Sequence, residues 1–140
     1  MSLFIGWSLS IALTGAVVAN HRWAIARVHH RQDIGAPLSS TATVVLLFVA
    51  HFVESAVFGV GYIVAAEVLD IGALVGGTSG GLRDYLYYSM VTYTSLGLGD
   101  VFPVGELRLM SGFEVLTGLL MIGWSAAVLF EETSKRHKTG

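Results

Sequence analysis

The chain alternates three long apolar stretches, residues 3–19, 44–69 and 109–130, with shorter segments rich in glycine, small polar residues or charge. A helix needs about 20 apolar residues to cross the hydrocarbon core of a bilayer, so the second and third stretches predict spans and the first predicts a short one. For the first stretch a cleavable signal peptide competes, because Val17-Val18-Ala19 follows the run in the manner of a cleavage site. Against that, no basic residue precedes it, whereas Arg22, Arg27 and Arg31 follow it, an arrangement that hinders export. Between the second and third stretches the pattern changes character. Gly76-Gly77-Thr78-Ser79-Gly80-Gly81 has the composition of a flexible linker. Residues 83–94 are aromatic and small, too short to span and abruptly ended, which predicts a short re-entrant helix. The expected fold is therefore an all-α membrane protein with three transmembrane helices. Its first part, 1–40, holds the first helix and a basic connection that closes with the breaker Gly35-Ala36-Pro37. The second, 41–130, holds an outer helix at 41–69, the short helix at 83–94, a loop at 95–100 and an inner helix at 105–130. The third, 131–140, is a short basic tail.

Composition agrees with this pattern: 54% of residues are apolar and only 13% charged, far from an average soluble domain. With no cysteine, a disulfide framework, a thiolate metal site and cysteine catalysis are excluded. The net charge of -2 says little, but the placement of charge says more. Six of the eight basic residues, Arg22, Arg27, Arg31, Lys135, Arg136 and Lys138, fall in two segments separated by two spans. The region between those spans carries Glu67, Asp70, Asp84, Asp100 and Glu106 against Arg83 and Arg108. By the positive-inside rule the N-terminus lies outside and the C-terminus in the cytoplasm, which predicts a multi-pass protein of the cell (inner) membrane. Nothing in this distribution predicts nucleic acid as a partner.

The candidate chemistry lies at 95–100, Ser95-Leu96-Gly97-Leu98-Gly99-Asp100. Irregular backbone at membrane depth is tolerated only where protein buries it or a water-filled path borders it. Alternating glycines adopt backbone angles closed to other residues, and so aim successive carbonyl oxygens at one axis, where they replace the hydration shell of a cation. Ser95 adds a hydroxyl at the inner end, and a short helix whose carboxyl end faces the ion adds partial negative charge. One chain supplies one row of carbonyls, so enclosing an ion requires several chains about an axis.

Thr92-Tyr93-Thr94-Ser95-Leu96-Gly97-Leu98-Gly99-Asp100-Val101-Phe102-Pro103 resembles the potassium-channel signature Thr-x-Thr-Thr-Val-Gly-Tyr-Gly-Asp followed by a proline. The flanking Tyr87-Tyr88-Ser89-Met90-Val91 and the stretch from Phe113 to Ser125 are similar to small bacterial proteins of the ion channel family, in which a His-x-x-Glu pair recurs in the preceding helix, here His51-Phe52-Val53-Glu54. The resemblance covers residues 45–130. It implies a homotetrameric channel that conducts potassium passively. The permeant ion would be held by the backbone of Ser95, Leu96, Gly97, Leu98 and Gly99, with Asp100 at the outer mouth and Thr92, Thr94, Tyr88, Glu114, His51 and Glu54 supporting the filter. Neither a cofactor nor an enzymatic activity is implied. Three positions depart from the signature: Ser95 keeps the threonine's hydroxyl, Leu96 keeps an apolar side chain, and Leu98 lacks the phenol that braces the filter from behind. The last of these leaves potassium selectivity less determined than cation conduction.

Several residues carry two readings. His51 and Glu54, three apart on one helix face, form either a hydrogen-bonded anchor to each other or to the short helix, which is the favoured reading, or a proton sensor or metal-ligand pair. Glu114 is expected to bond to the short helix, the alternative being a place on a water-filled path. Gly118 and Gly123 are either gating hinges or close packing points. His21, Arg22, His29, His30 and Arg31 read as an orientation signal touching anionic lipid, with pH sensing as a minor alternative. A rival class, a membrane metal protein built on His21, His29, His30, His51 and Glu54, is disfavoured because the first three are expected near the inner face and the last two within a span.

Overall fold

A computed structural model describes residues 1–36 and 38–139, so the expected break at Pro37 and Gly140 at the terminus lie outside the described residues. Three helices have the length and apolar composition to cross a membrane: α1 (Ser2–Asp33), α2 (Ser40–Ile63, continued by a wider π turn through Val68) and α4 (Leu107–Thr139). Ser39 caps α2, its side-chain oxygen accepting from the Ala42 N–H at 3.1 Å. A short helix, α3 (Leu82–Tyr93), and two strands, β1 (Gly72–Gly76) and β2 (Val101–Gly105), lie between α2 and α4.

The helices run in alternating directions. Ser2 reaches Glu106, Thr14 meets Thr117 and His21 approaches Ser125, so α1 and α4 are parallel. Asn20 bonds to Ala50, and a Cβ on Gly61 would strike Leu13, so α2 runs opposite to α1. The helix α3 descends along α2 from Tyr85 beside Glu67, through Tyr88 packed edge-on against Tyr62 with ring centroids 5.2 Å apart, to Tyr93 beside Glu54. Its last turn thus ends near the middle of α2, and residues 94–100 return to the hairpin level. Phe58, Tyr62, Tyr93, Leu107, Met110 and Val17 are fully or almost fully buried where the four helices meet. In hydrocarbon such packing is driven by close van der Waals fit and interhelical hydrogen bonds, not by exclusion of water. Small residues enable it: a Cβ on Gly118 would overlap the Tyr93 carbonyl oxygen, so α4 crosses the end of α3 at backbone contact distance.

Three expectations are corrected. The chain is mostly helical but not all-α, because β1 pairs antiparallel with β2, from Gly72 opposite Gly105 to Gly76 opposite Val101. Pro103 is accommodated there because a two-stranded pair leaves each strand an outer edge, where a missing N–H breaks no bond. The stretch read as a linker is accordingly fastened at its start: Gly76 belongs to β1, and the Gly77 N–H donates to the Asp100 carbonyl at 2.8 Å. Third, the first helix does not stop near residue 19. Its backbone bonding continues through Asp33, since neither proline nor a glycine pair interrupts 16–33, and this lifts His21 out of the supposed connection into the helical bundle. Likewise α4 continues past 130 through most of the expected tail, where Lys135 pairs with Glu131; of the tail's basic residues, the side chains of Arg136 and Lys138 lie outside the described residues.

Candidate functional site

At the foot of α3 the backbone changes conformation at every second residue: Ser95 has φ 59°, Gly97 φ 54° and Gly99 φ 77°. These angles lie in the left-handed region, open to glycine and costly for other residues. The amides turn back toward α3, the Ser95 N–H donating to the Thr92 carbonyl at 2.9 Å and the Leu96 and Gly97 N–H groups to the Val91 carbonyl at 2.9 and 3.3 Å. Thr94 closes the helix end by donating its hydroxyl to the Met90 carbonyl at 2.8 Å. Among the described residues no hydrogen bond reaches the carbonyl oxygens of Ser95, Leu96, Gly97 or Leu98. Leu96 and Leu98 are 62% and 58% exposed, and a Cβ on Gly97 or Gly99 would meet no atom within 4 Å. One row of unengaged carbonyls therefore stands beyond the carboxyl end of a helix.

The outer end of this segment is held twice. Tyr87 donates its hydroxyl to the Asp100 carboxylate at 2.8 Å, and strand β2 begins at the next residue. At the start of α3, Asp84 accepts from the Ser79 hydroxyl at 2.8 Å, the Ser79 N–H at 2.7 Å and the Thr78 hydroxyl at 3.0 Å. These donors, the Ser79 hydroxyl foremost, lower the carboxyl to about 2.

Two buried polar groups of side chains surround α3. In one, Glu114 of α4 accepts from Tyr62 of α2 and from Ser89 of α3, whose oxygen also touches the Ser55 carbonyl; Tyr88 bonds to Ser111 at 2.7 Å. In the other, Glu54 accepts from Asn20 at 3.0 Å and from the Tyr93 hydroxyl, with His21 Nδ1 at 3.0 Å and His51 Nδ1 at 3.2 Å. Among the described residues no buried side-chain polar atom lacks a partner. Thr92 is buried within α3, where Tyr93 and Gly118 form the crossing of α3 with α4. Gly123 has open space around it.

His21 is brought to His51 and Glu54, contrary to the separation expected from the sequence, whereas His29 and His30 stay on the exposed surface of α1. The roles of Asn20, Tyr62 and Ser125 were missed. They are single polar residues in apolar surroundings, and their spacing alone does not tell which helix they face.

A family model described as ion channel matches residues 52–135, more than half of the chain. The chain belongs to the ion channel family. The match takes in the second half of α2, the hairpin, α3, residues 95–100 and most of α4, and leaves α1 outside. No curated protein and no solved structure matches the chain. With three helices of spanning length, this ion channel family member is a membrane protein.

Proposed function

We propose that the protein is a passive cation channel, conducting potassium through a filter built from the backbone carbonyls of residues 95–99 in four identical chains about one axis. The observation that carries the reading is the one-sided backbone at 95–98, the amides of 95–97 engaged toward α3 and the carbonyls of 95–98 unengaged, with left-handed φ angles at 95, 97 and 99. These carbonyls belong to residues exposed in the single chain. Four chains about one axis would enclose them, where backbone acceptors are seldom left without partners, and a cation at the axis is the partner this geometry suits. On this reading α3 is the re-entrant pore helix, its carboxyl end adding partial negative charge toward the ion. Asp100, fixed by Tyr87, attracts cations at the outer mouth. The basic ends of α1 and α4 then face the cytoplasm, with the hairpin outside the cell membrane. Gly123, with open space about it, is the position where α4 can bend during gating, and Gly118 is a packing point.

The test is potassium and sodium flux in vesicles containing the purified protein, with barium as blocker and Gly97→Ala as control. Barium-sensitive potassium flux well above sodium flux is expected, and Gly97→Ala, which forces a Cβ onto φ 54°, is expected to abolish it while leaving assembly intact. Equal flux of both ions would show that Leu98, exposed and without the phenol, leaves the filter permissive. No flux from a verified tetramer would overturn the conduction reading.

A further inference from the structure

We propose that His21, His51 and Glu54 form a binding site for a divalent transition-metal ion of the zinc type, which ties α1 to the foot of α3. The donor set comes from two helices: His21 from α1, His51 and Glu54 from α2. One ligand atom from each lies within 4.8 Å of the others. Nitrogen and oxygen donors bind zinc at about 2.0–2.2 Å, which places two donors on a tetrahedral ion about 3.3 Å apart. The Glu54 carboxylate lies between the two imidazoles, Oε1 3.0 Å from His21 Nδ1 and Oε2 3.2 Å from His51 Nδ1, and a shift of about 1 Å closes the set to that spacing.

The surroundings are those of a ligand set. Both rings turn the same nitrogen, Nδ1, toward Glu54. Both turn the other, Nε2, toward one oxygen, Ser125 Oγ of α4, at 2.9 Å for His51 and 3.4 Å for His21. A metal-bound imidazole holds its orientation in this way, through a partner on the distal nitrogen. Glu54 is oriented in turn by Asn20 Nδ2 at 3.0 Å. The Tyr93 hydroxyl stands beside the same donor atoms, 3.0 Å from His51 Nδ1. A cavity of about 280 Å³ is bordered by His51, Tyr93, Thr94, Phe48, Phe52 and Ile122, and the half-buried face of His51 opens to it.

When the ion binds, it takes the lone pairs on the two Nδ1 atoms and a Glu54 oxygen, and protons shared between imidazole and carboxylate leave to solvent. Two neutral imidazoles and one carboxylate suit zinc and cobalt(II) better than calcium or magnesium, which prefer all-oxygen shells. The ion would hold two helices against Tyr93, two residues before Ser95.

The test is binding of cobalt(II) and zinc to the purified full chain in detergent, followed by titration calorimetry and the visible absorption of tetrahedral cobalt. It needs no ion flux, so its failure is distinct from failure of the conduction reading. One ion per chain with a tetrahedral cobalt spectrum is expected, retained in a His29→Ala, His30→Ala double variant and weakened more than tenfold in His21→Asn. Ser125→Ala, which removes only the distal partner, is expected to weaken binding about tenfold. Wild-type protein that takes up no ion, or an affinity unchanged in a folded His21→Asn variant, would overturn the proposal. If His21→Asn fails to assemble, the Ser125→Ala affinity decides: unchanged binding there overturns it.

Discussion

Residues 95–98 begin two residues after Tyr93, a member of the cluster around Glu54, yet the two regions treat polar groups in opposite ways. Around Glu54 every buried side-chain polar atom has a partner, and the partners come from all four helices. At 95–98 the first three amides are engaged toward α3 and none of the carbonyls is. Burying ionisable groups, as the first arrangement does, is costly in hydrocarbon unless they are paired, whereas residues 94–100 are exposed in the single chain and would need partners once other chains cover them. On the channel reading proposed above, the difference separates support from function: a network satisfied from within fixes positions, and a row of acceptors unengaged within the chain is free for an ion. The same contrast explains why α3 is braced so heavily. A loop that leaves its carbonyls unengaged gains little stability of its own, and its geometry must come from Tyr93, Thr92 and the crossing at Gly118.

The largest expected effect comes from breaking the satisfied side. Glu54→Ala removes the acceptor shared by Asn20, His21 and Tyr93 and leaves their donors without it. A hydrogen bond to a charged group contributes about 1.5–3 kcal/mol, and interhelical bonds in membranes measure lower. Asn20 keeps the Ala50 carbonyl and Tyr93 keeps His51 Nδ1, so the three lost bonds together predict a loss on the order of 3 kcal/mol. Thermal melting of the assembled protein in detergent should show a drop of many degrees. A melting temperature within a degree or two of wild type would mean the cluster is not a brace.

Gly118→Ala acts on the same support by sterics. Its Cβ would overlap the Tyr93 carbonyl, a backbone atom that moves only if α3 or α4 moves. Overpacking of this kind costs about 1–3 kcal/mol, so a smaller but clear fall in melting temperature is expected, accompanied by altered flux because Tyr93 leads directly into residues 94–99. Normal stability and normal flux would show that α4 does not need this approach.

Gly97→Ala sharpens the comparison from the other side. No atom lies within 4 Å of the added Cβ, so the penalty is that of the left-handed angle alone, about 1–2 kcal/mol at most. Melting should fall by less than in Gly118→Ala while flux is lost. A variant that melts as early as Glu54→Ala would erase the distinction between the two regions.

What the sequence revealed follows the same division. The outer and inner spans, the short helix and the Gly97-x-Gly99 loop are legible because each depends on local properties: a long apolar run, an abrupt end, a backbone angle that glycine supplies. The short helix was expected at 83–94 and lies at Leu82–Tyr93. The hairpin was not legible, because Gly72-Ala73-Leu74-Val75-Gly76 is too short to signal a strand, and its partner lies across α3 and the loop. Nor was the assembly of Asn20, His21, Glu54, Tyr93 and Ser125, which depends on α1 continuing past residue 19 and on which way each helix turns. Basic residues after an apolar run mark an orientation, but they do not stop a helix.

The smallest expected effect tests the surface end of the support, where α3 starts. Above the ordinary aspartate value of 3.8 the Asp84 carboxylate is ionised whether or not the loop at 78–81 is folded, and its bonds from Ser79 and Thr78 are complete. Because those donors lower the folded value to about 2, the stabilisation they provide is fully present above 3.8 and is lost as pH falls toward 2. A carboxyl carbon titration of Asp84 should therefore find its midpoint near 2. In a Thr78→Val, Ser79→Ala variant the midpoint should move up toward 3.8, with the Ser79 hydroxyl contributing most of the change. An ordinary midpoint in the wild type would mean that the turn at 78–81 does not hold the start of α3. The positioning of residues 95–100 would then rest on the hairpin and the Glu54 cluster alone.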